Sequence, residues 1–260
     1  MVGSPAGPCP AWLFGDARAD TWGIHIHGIR ADRNHALRTV PVATQAGLAS
    51  LVVSYRGDGD APDVRKGTAS LGSAEWIDVD AAVQYAVSRG AKRIVLFGWS
   101  MGASIALLVA ERSELRSKIA GLVLIAPATD WRSIVDSGVK QKRLPGFVAS
   151  LAKLMLSNPA LSKVAGLEVP VDLDALDWVS EPSRGRLKVP TLVIHSSGDS
   201  NVPFTLTERF IEAQGTFATL FESATAEHAL EYNVDPAAFD ARVLERLRGI
   251  RENGLSAHLR

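Results

Sequence analysis

Three side chains that could act together on a carbonyl stand far apart in this chain, at Ser100, Asp199 and His228. Ser100 is the centre of Gly98-Trp99-Ser100-Met101-Gly102, a G-x-S-x-G motif entered by the apolar run Ile94–Phe97 and left by the apolar run Ala103–Ala110. That is the strand-to-helix context in which the motif presents a nucleophile. A serine at the tip of so sharp a turn has a strained backbone and a hydroxyl clear of the sheet. A side chain at either flanking glycine, Gly98 or Gly102, would collide with the turn. The same turn puts Ser100 at a helix N-terminus, where free N–H groups and the positive dipole end favour a developing oxyanion.

A neutral serine is a weak nucleophile and needs a base, which in turn needs an orienting acid. In sites of this kind the chain order is serine, acid, histidine. The run Thr191–His195 leads into Ser196-Ser197-Gly198-Asp199, and the run Ala218–Glu222 leads into a loop ending at His228. Asp199 is therefore expected as the acid and His228 as the base. Asp130, in the loop after Gly121–Ala126, is the competing acid. His25 and His195 fall within or at the end of strands and suit core or supporting positions. His35 opens a helix, His258 lies in the C-terminal tail, and Glu227 suits a solvated charge. An oxyanion needs two donors. The Met101 amide supplies one, and the amide of Ile29, after the tight turn His27-Gly28, supplies the other.

To bring these positions together, the chain must set several strand ends on one rim. Strands are expected at Trp22–His27, Leu48–Tyr55, Arg93–Trp99, Gly121–Ala126, Thr191–His195 and Ala218–Glu222, with a short one at Ala11–Phe14. Their near-continuous Val/Ile/Leu content suits a parallel sheet covered on both faces. Helical patterns at Ala74–Ser88, Met101–Arg112, Phe204–Gln214 and Pro236–Arg251 alternate with them. The expectation is an α/β class, doubly wound, mostly parallel sheet in a single domain over residues 1–260. Residues 127–189 separate two core strands by far more than an ordinary connection. They are expected to form a small helical cap, with Phe147–Leu156 as one helix whose apolar side chains bury an acyl tail.

Composition narrows the function. The chain has 260 residues, 47% of them hydrophobic, enough for a sizeable core and against wholesale disorder. Lys+Arg and Asp+Glu balance at 28 each, so no broad positive field favours nucleic acid. One cysteine, Cys9, excludes an intrachain disulfide and a thiolate metal cluster, and no H-E-x-x-H motif marks a metal hydrolase. No apolar stretch is long enough for a membrane span. The first residues lack a basic segment followed by an apolar core, so a cytoplasmic location is the expectation.

The chain resembles the α/β-hydrolase superfamily, in particular its serine-aminopeptidase-like branch of small esterases and lipases. The residues that carry the resemblance are His27-Gly28, Tyr55-Arg56-Gly57, Gly98 to Gly102, Gly198-Asp199 with Val202-Pro203, and His228. The resemblance implies a Ser-His-Asp hydrolase that needs no cofactor and takes small-molecule carboxylic esters. Amide or peptide cleavage or acyl transfer on the same three residues is the nearest alternative, and a non-catalytic ligand-binding protein on this scaffold is a more distant one. The chain departs from the family in one respect. Only about twenty residues precede the His27-Gly28 strand, so at most one short strand is expected there in place of the family's usual two.

Overall fold

Seven of the expected apolar runs hydrogen-bond into one sheet in the computed structural model, which describes residues 1–63 and 69–256. His258 lies outside the described residues. Two three-residue strands come first, β1 (Val2–Ser4) and β2 (Gly7–Cys9), paired with each other as a separate antiparallel ribbon. The main sheet follows: β3 (Ala11–Phe14), β4 (Thr21–Ile26), β5 (Ala49–Val53), β6 (Arg93–Trp99), β7 (Ile119–Ile125), β8 (Thr191–His195) and β9 (Ala218–Glu222). Its order is β3-β5-β4-β6-β7-β8-β9. β3 runs antiparallel to β5, and all other neighbours are parallel.

The expectation of at most one strand before β4 is corrected: there are three. β1 and β2 are too short to show a period of two in the sequence. What makes them is the turn between them, where the Ser4 hydroxyl donates to the Gly7 carbonyl at 2.9 Å. Gly7, with φ at 128°, takes a backbone conformation that a side chain would oppose.

Alternation along the strands divides the core into two layers. In β6, Ile94 and Leu96 join one cluster with Val79 and Val83 of helix α3 (Trp76–Ser88) and Ile105 and Leu108 of helix α4 (Met101–Arg112). Val95, Phe97 and Trp99 point to the opposite face. There they meet helices α1 (Arg33–Ala36), α2 (Val40–Gln45) and α10 (Pro236–Ser256), through residues such as Ala36, Val42, Phe239 and Val243. Both faces are therefore covered, which is why the strands read as continuous apolar runs. α4 is buried all round from Met101 to Val109, as its nearly unbroken apolar sequence requires.

Between β7 and β8 the chain forms three helices, α5 (Trp131–Gln141), α6 (Phe147–Ser157) and α7 (Pro159–Val164), and α8 (Phe204–Gln214) joins β8 to β9. The segment after α7 is anchored through Leu167, Val171, Leu176 and Trp178, which join the α3/α4 core layer. An ion network adds to this. Arg56, just past β5, donates from Nε and Nη2 to both carboxylate oxygens of Asp78 on α3, at 2.8 and 2.9 Å. Its Nη1 reaches Glu168, 112 residues away, at 3.2 Å. α6 itself packs differently from expectation. Ala149 on it is buried and Val148, Ala152, Met155 and Leu156 are half-buried, while Phe147, Leu151 and Leu154 are exposed, so its apolar side chains divide between the domain and the outside.

The Arg56–Asp78 pair yields a stability test. Asp78 is fully buried, so removing the guanidinium leaves a charge without its partner in the interior. Arg56→Met should cost about 3–5 kcal/mol in urea denaturation. Breaking the exposed Lys92–Asp20 pair by Lys92→Met should leave the midpoint nearly unchanged.

Candidate active site

The strand ends of β4, β6, β8 and β9 place the residues of interest on one rim of the sheet. Ser100 follows β6 directly and caps α4. Its backbone sits at φ 53° and ψ −114°, a strained conformation for a residue with a side chain. Two close approaches hold the turn. A Cβ on Gly98 would lie 2.6 Å from the Gly102 carbonyl oxygen and 2.7 Å from Ala103 Cα. A Cβ on Gly102 would overlap the Ile26 carbonyl oxygen and lie 2.6 Å from that of His27. Glycine at both positions is thus required by contact with backbone, which cannot move aside.

His228 lies in the loop between β9 and the short helix α9 (Glu231–Val234). Its Nε2 is 2.8 Å from Ser100 Oγ, and its Nδ1 is 2.6 Å from Asp199 Oδ2. A carboxylate only accepts, so Nδ1 carries a proton toward Asp199 and Nε2 is left to accept from the serine hydroxyl. The structure therefore brings Ser100, His228 and Asp199 into one hydrogen-bonded chain. Asp130 is elsewhere: it caps α5, accepting the amide of Arg132 at 2.9 Å and that of Ser133 at 3.3 Å. Glu227 is exposed and accepts from the Ser200 hydroxyl.

Asp199 has four donors. Oδ1 accepts the amides of Asn201 and Val202 at 2.8 and 2.9 Å. Oδ2 accepts from His228 and from His195 Nε2, the latter at 3.0 Å. His195 Nδ1 in turn accepts from the Thr207 hydroxyl at 2.7 Å, which fixes its tautomer. Burial opposes the charge on Asp199, but the bonds from His195, His228 and the Val202 amide win and hold its carboxyl well below the usual range. His25 is buried within β4, bonded to Thr39 and stacked on Phe97. Burial, with Arg38 beside it, pushes His35 down to about 4.

Glu231 was not singled out by sequence. It is buried at 1% exposure, and neither carboxylate oxygen has a hydrogen-bond partner outside its own residue. Burial pushes it up to about 7, and the nearby Asp199 charge adds to the rise, while His228 and Arg38 pull it back. One atom each of His195, Asp199 and Glu231 lie within 4.8 Å of one another, which is close enough to suggest a metal site. The donor set argues otherwise. Both nitrogens of His195 and the Oδ2 of Asp199 are already engaged in hydrogen bonds, so only Glu231 has free ligand atoms.

The loop after β4 completes the rim. His27 Nε2 bonds Asp58 at 2.8 Å, and the Tyr55 hydroxyl donates to the His27 carbonyl at 3.0 Å while its ring stacks on the imidazole. Asp58 is a second residue that sequence reading missed. Ile29 and Met101 both border a cavity of about 340 Å³, together with Gly28, Leu71 and Leu156. Two larger cavities lie away from this rim, one along β8, β9 and α10 and one around Trp178. A serine hydroxyl bonded to an imidazole that is itself bonded to a buried carboxylate is an arrangement suited to carbonyl attack.

Comparison with known proteins agrees with this architecture. The chain superposes on an esterase of Pyrococcus furiosus with a TM-score of 0.68 at 20% identity, over 94% of this chain and 89% of that one. A thermophilic esterase from Thermogutta terrifontis gives 0.64 at 20% identity, covering 96% and 97%. A monoacylglycerol lipase of Paleococcus ferrophilus gives 0.63 at 18%, covering 94% and 99%. In sequence, the human protein ABHD12B is 25% identical over 198 residues, 73% of this chain. The chain spans about half the length of that relative, 48%. Among the described residues no helix is long and apolar enough to cross a membrane. Residues 18–242 match the alpha/beta hydrolase family, and with most of its length covered the chain belongs to that family.

Proposed function

We propose that this protein is a serine esterase that cleaves small-molecule carboxylic esters through an acyl-enzyme. The observation that carries the reading is the unbroken chain from Ser100 Oγ to His228 Nε2 and from His228 Nδ1 to Asp199, at 2.8 and 2.6 Å. Ser100 attacks the ester carbonyl as His228 takes its proton. The amides of Ile29 and Met101 receive the tetrahedral oxyanion, and His228 then protonates the departing alcohol. Water activated by the same imidazole releases the acid. Asp199 fixes the imidazole tautomer and stabilises the imidazolium, and His195 acts through Asp199 as a positioning residue.

Support for an ester substrate comes from the cavity beside Gly28, where Leu71 and Leu156 offer apolar surface to an acyl group. The structural neighbours named as esterases and a monoacylglycerol lipase point the same way. Placement in the cytoplasm belongs to the same proposal and is supported by a single, buried, unpaired cysteine. The deciding experiment is a panel of nitrophenyl esters of increasing acyl length set against aminoacyl anilides. The esters should turn over and the anilides should not. The reverse order of rates would make the protein an amidase or peptidase.

Three variants test the assigned roles. Ser100→Ala should lower kcat on the best nitrophenyl ester by on the order of 10⁴-fold with an unchanged melting temperature. Retention of a tenth of the activity would remove Ser100 as the nucleophile. Asp199→Asn should cost roughly 10³–10⁴ in kcat, whereas Asp130→Asn, which disturbs only a helix cap, should change it less than about tenfold.

Glu231 governs a stability test that activity does not enter. Its carboxyl is raised from 4.5 to about 7 in the folded protein. Between those two values the folded state holds a proton that the unfolded chain has released, so stability falls as pH rises through this window and levels off above it. The loss is on the order of 3 kcal/mol. Asp199 is depressed instead, and its contribution changes only in stronger acid. Chemical denaturation at pH 5 and pH 8 should show wild type losing stability relative to Glu231→Gln at the higher pH. Parallel behaviour of the two proteins would mean that Glu231 ionises normally.

A further inference from the structure

The segment between β7 and β8 carries an outward face that the reaction does not use. On α6, Phe147, Leu151 and Leu154 recur at helical spacing and are 69%, 49% and 49% exposed. Leu144 just before the helix and Val164 at the end of α7 extend the same exposed apolar character. Among the described residues twelve large apolar side chains are exposed, and five of them fall between 144 and 164. An apolar surface so concentrated is an interaction site or a hazard.

Charge identifies the partner. The chain as a whole is neutral, with 28 basic and 28 acidic residues. Between Asp136 and Glu168, however, there are five basic residues and no acid: Lys140, Lys142, Arg143, Lys153 and Lys163. Lys153 pairs with Asp136 at 2.6 Å. The other four are exposed and form no ion pair among the described residues. Lys142 and Arg143 directly adjoin Leu144, and Lys163 adjoins Val164, so cations border the apolar side chains along the chain. An apolar helix face bordered by lysine and arginine is the pattern of a segment that lies in the plane of a membrane interface. A second copy of this chain would bring like charges together, and an acidic protein would not need the apolar stripe.

We infer that the exposed face of α5, α6 and α7 docks on the surface of an anionic lipid bilayer, with Phe147, Leu151 and Leu154 in the acyl region and the four free cations among the headgroups. Leu156, on the same helix, borders the cavity next to Gly28 and Ile29. Docking by this face therefore sets that cavity close to the bilayer. The proposal concerns binding alone and stands whether or not the esterase reading holds.

Sedimentation of the full chain with vesicles tests it. Vesicles of phosphatidylcholine containing about a third phosphatidylglycerol should carry the protein down at low salt, and pure phosphatidylcholine vesicles should carry down much less. Raising the salt should release it. The triple variant Phe147→Ser, Leu151→Ser, Leu154→Ser should abolish binding. The double variant Lys142→Glu, Arg143→Glu should weaken it by more than about 25-fold, at roughly fivefold for each basic residue removed. All of these side chains are exposed, so both variants should keep the wild-type circular-dichroism spectrum and melting temperature, which report on folding. No sedimentation of the wild type at low salt would overturn the inference, as would equal sedimentation of wild type and both variants. Self-association in the ultracentrifuge that the triple variant abolishes, without vesicle binding, would assign the face to a second copy and overturn it as well.

Discussion

Everything on the rim that holds Ser100 and His228 depends on how closely the first turn of α4 can approach the end of β4. Gly102 lies against the carbonyls of Ile26 and His27, and Gly98 lies against Gly102 and Ala103. With no side chain at either position, the amino end of α4 comes down onto the strand next door. That contact sets Ser100 beside the loop that carries Gly28. A Cβ on Gly28 would itself lie 3.2 Å from Ser100 Cβ, so the two turns are packed face to face. The strained backbone of Ser100 is the consequence, and surrounding hydrogen bonds hold it there. Its amide donates to the Ile125 carbonyl at 2.9 Å, tying the turn to β7 as well.

A second constraint is electrostatic. Asp199 is a buried charge, and burying a charge is unfavourable unless hydrogen bonds replace the lost water. Here two amides serve one oxygen and two imidazoles serve the other. That arrangement leaves the carboxylate ionised and the Nδ1 proton of His228 fixed in direction. Glu231 stands in the same neighbourhood with no such donors, and its carboxyl is pushed up where that of Asp199 is pushed down. Two buried carboxyl groups a few ångströms apart thus differ in charge near neutrality because their hydrogen-bond partners differ.

Sequence made the sheet legible because strands buried on both faces must be apolar at every position. Ile94 to Trp99 belongs alternately to two core layers and so shows no polar gap. The spacing of Gly98, Ser100 and Gly102 was equally legible, since it follows from backbone contact. Ser100, Asp199 and His228 were all readable as residues just past strand ends. The β1/β2 ribbon was not, because three residues are too few for a period. Asp58, Glu231 and Glu168 were also invisible. Each draws its importance from a partner distant in sequence, as Glu168 does from Arg56 across 112 positions, and nothing local marks them. His195 is intermediate: its place at the end of β8 suggested support, but its bond to Asp199 is a fact of the folded chain.

The helix α6 shows where the reading of apolar content runs out. Its sequence is rich in leucine and other apolar residues, and inward packing over the strand ends was the natural expectation. Periodicity reports that a helix has an apolar face, but not what the face meets. On this helix the apolar residues divide. Ala149 is buried against the domain and Leu156 reaches the cavity, while Phe147, Leu151 and Leu154 turn outward. Both groups lie within eleven residues. A helix that is apolar on more than one side presents apolar surface that the fold itself does not cover. The charge distribution then becomes the informative quantity. A neutral chain has gathered five cations and no acid into the stretch between Asp136 and Glu168, and that asymmetry is what separates a lipid surface from the other ways of covering an apolar face.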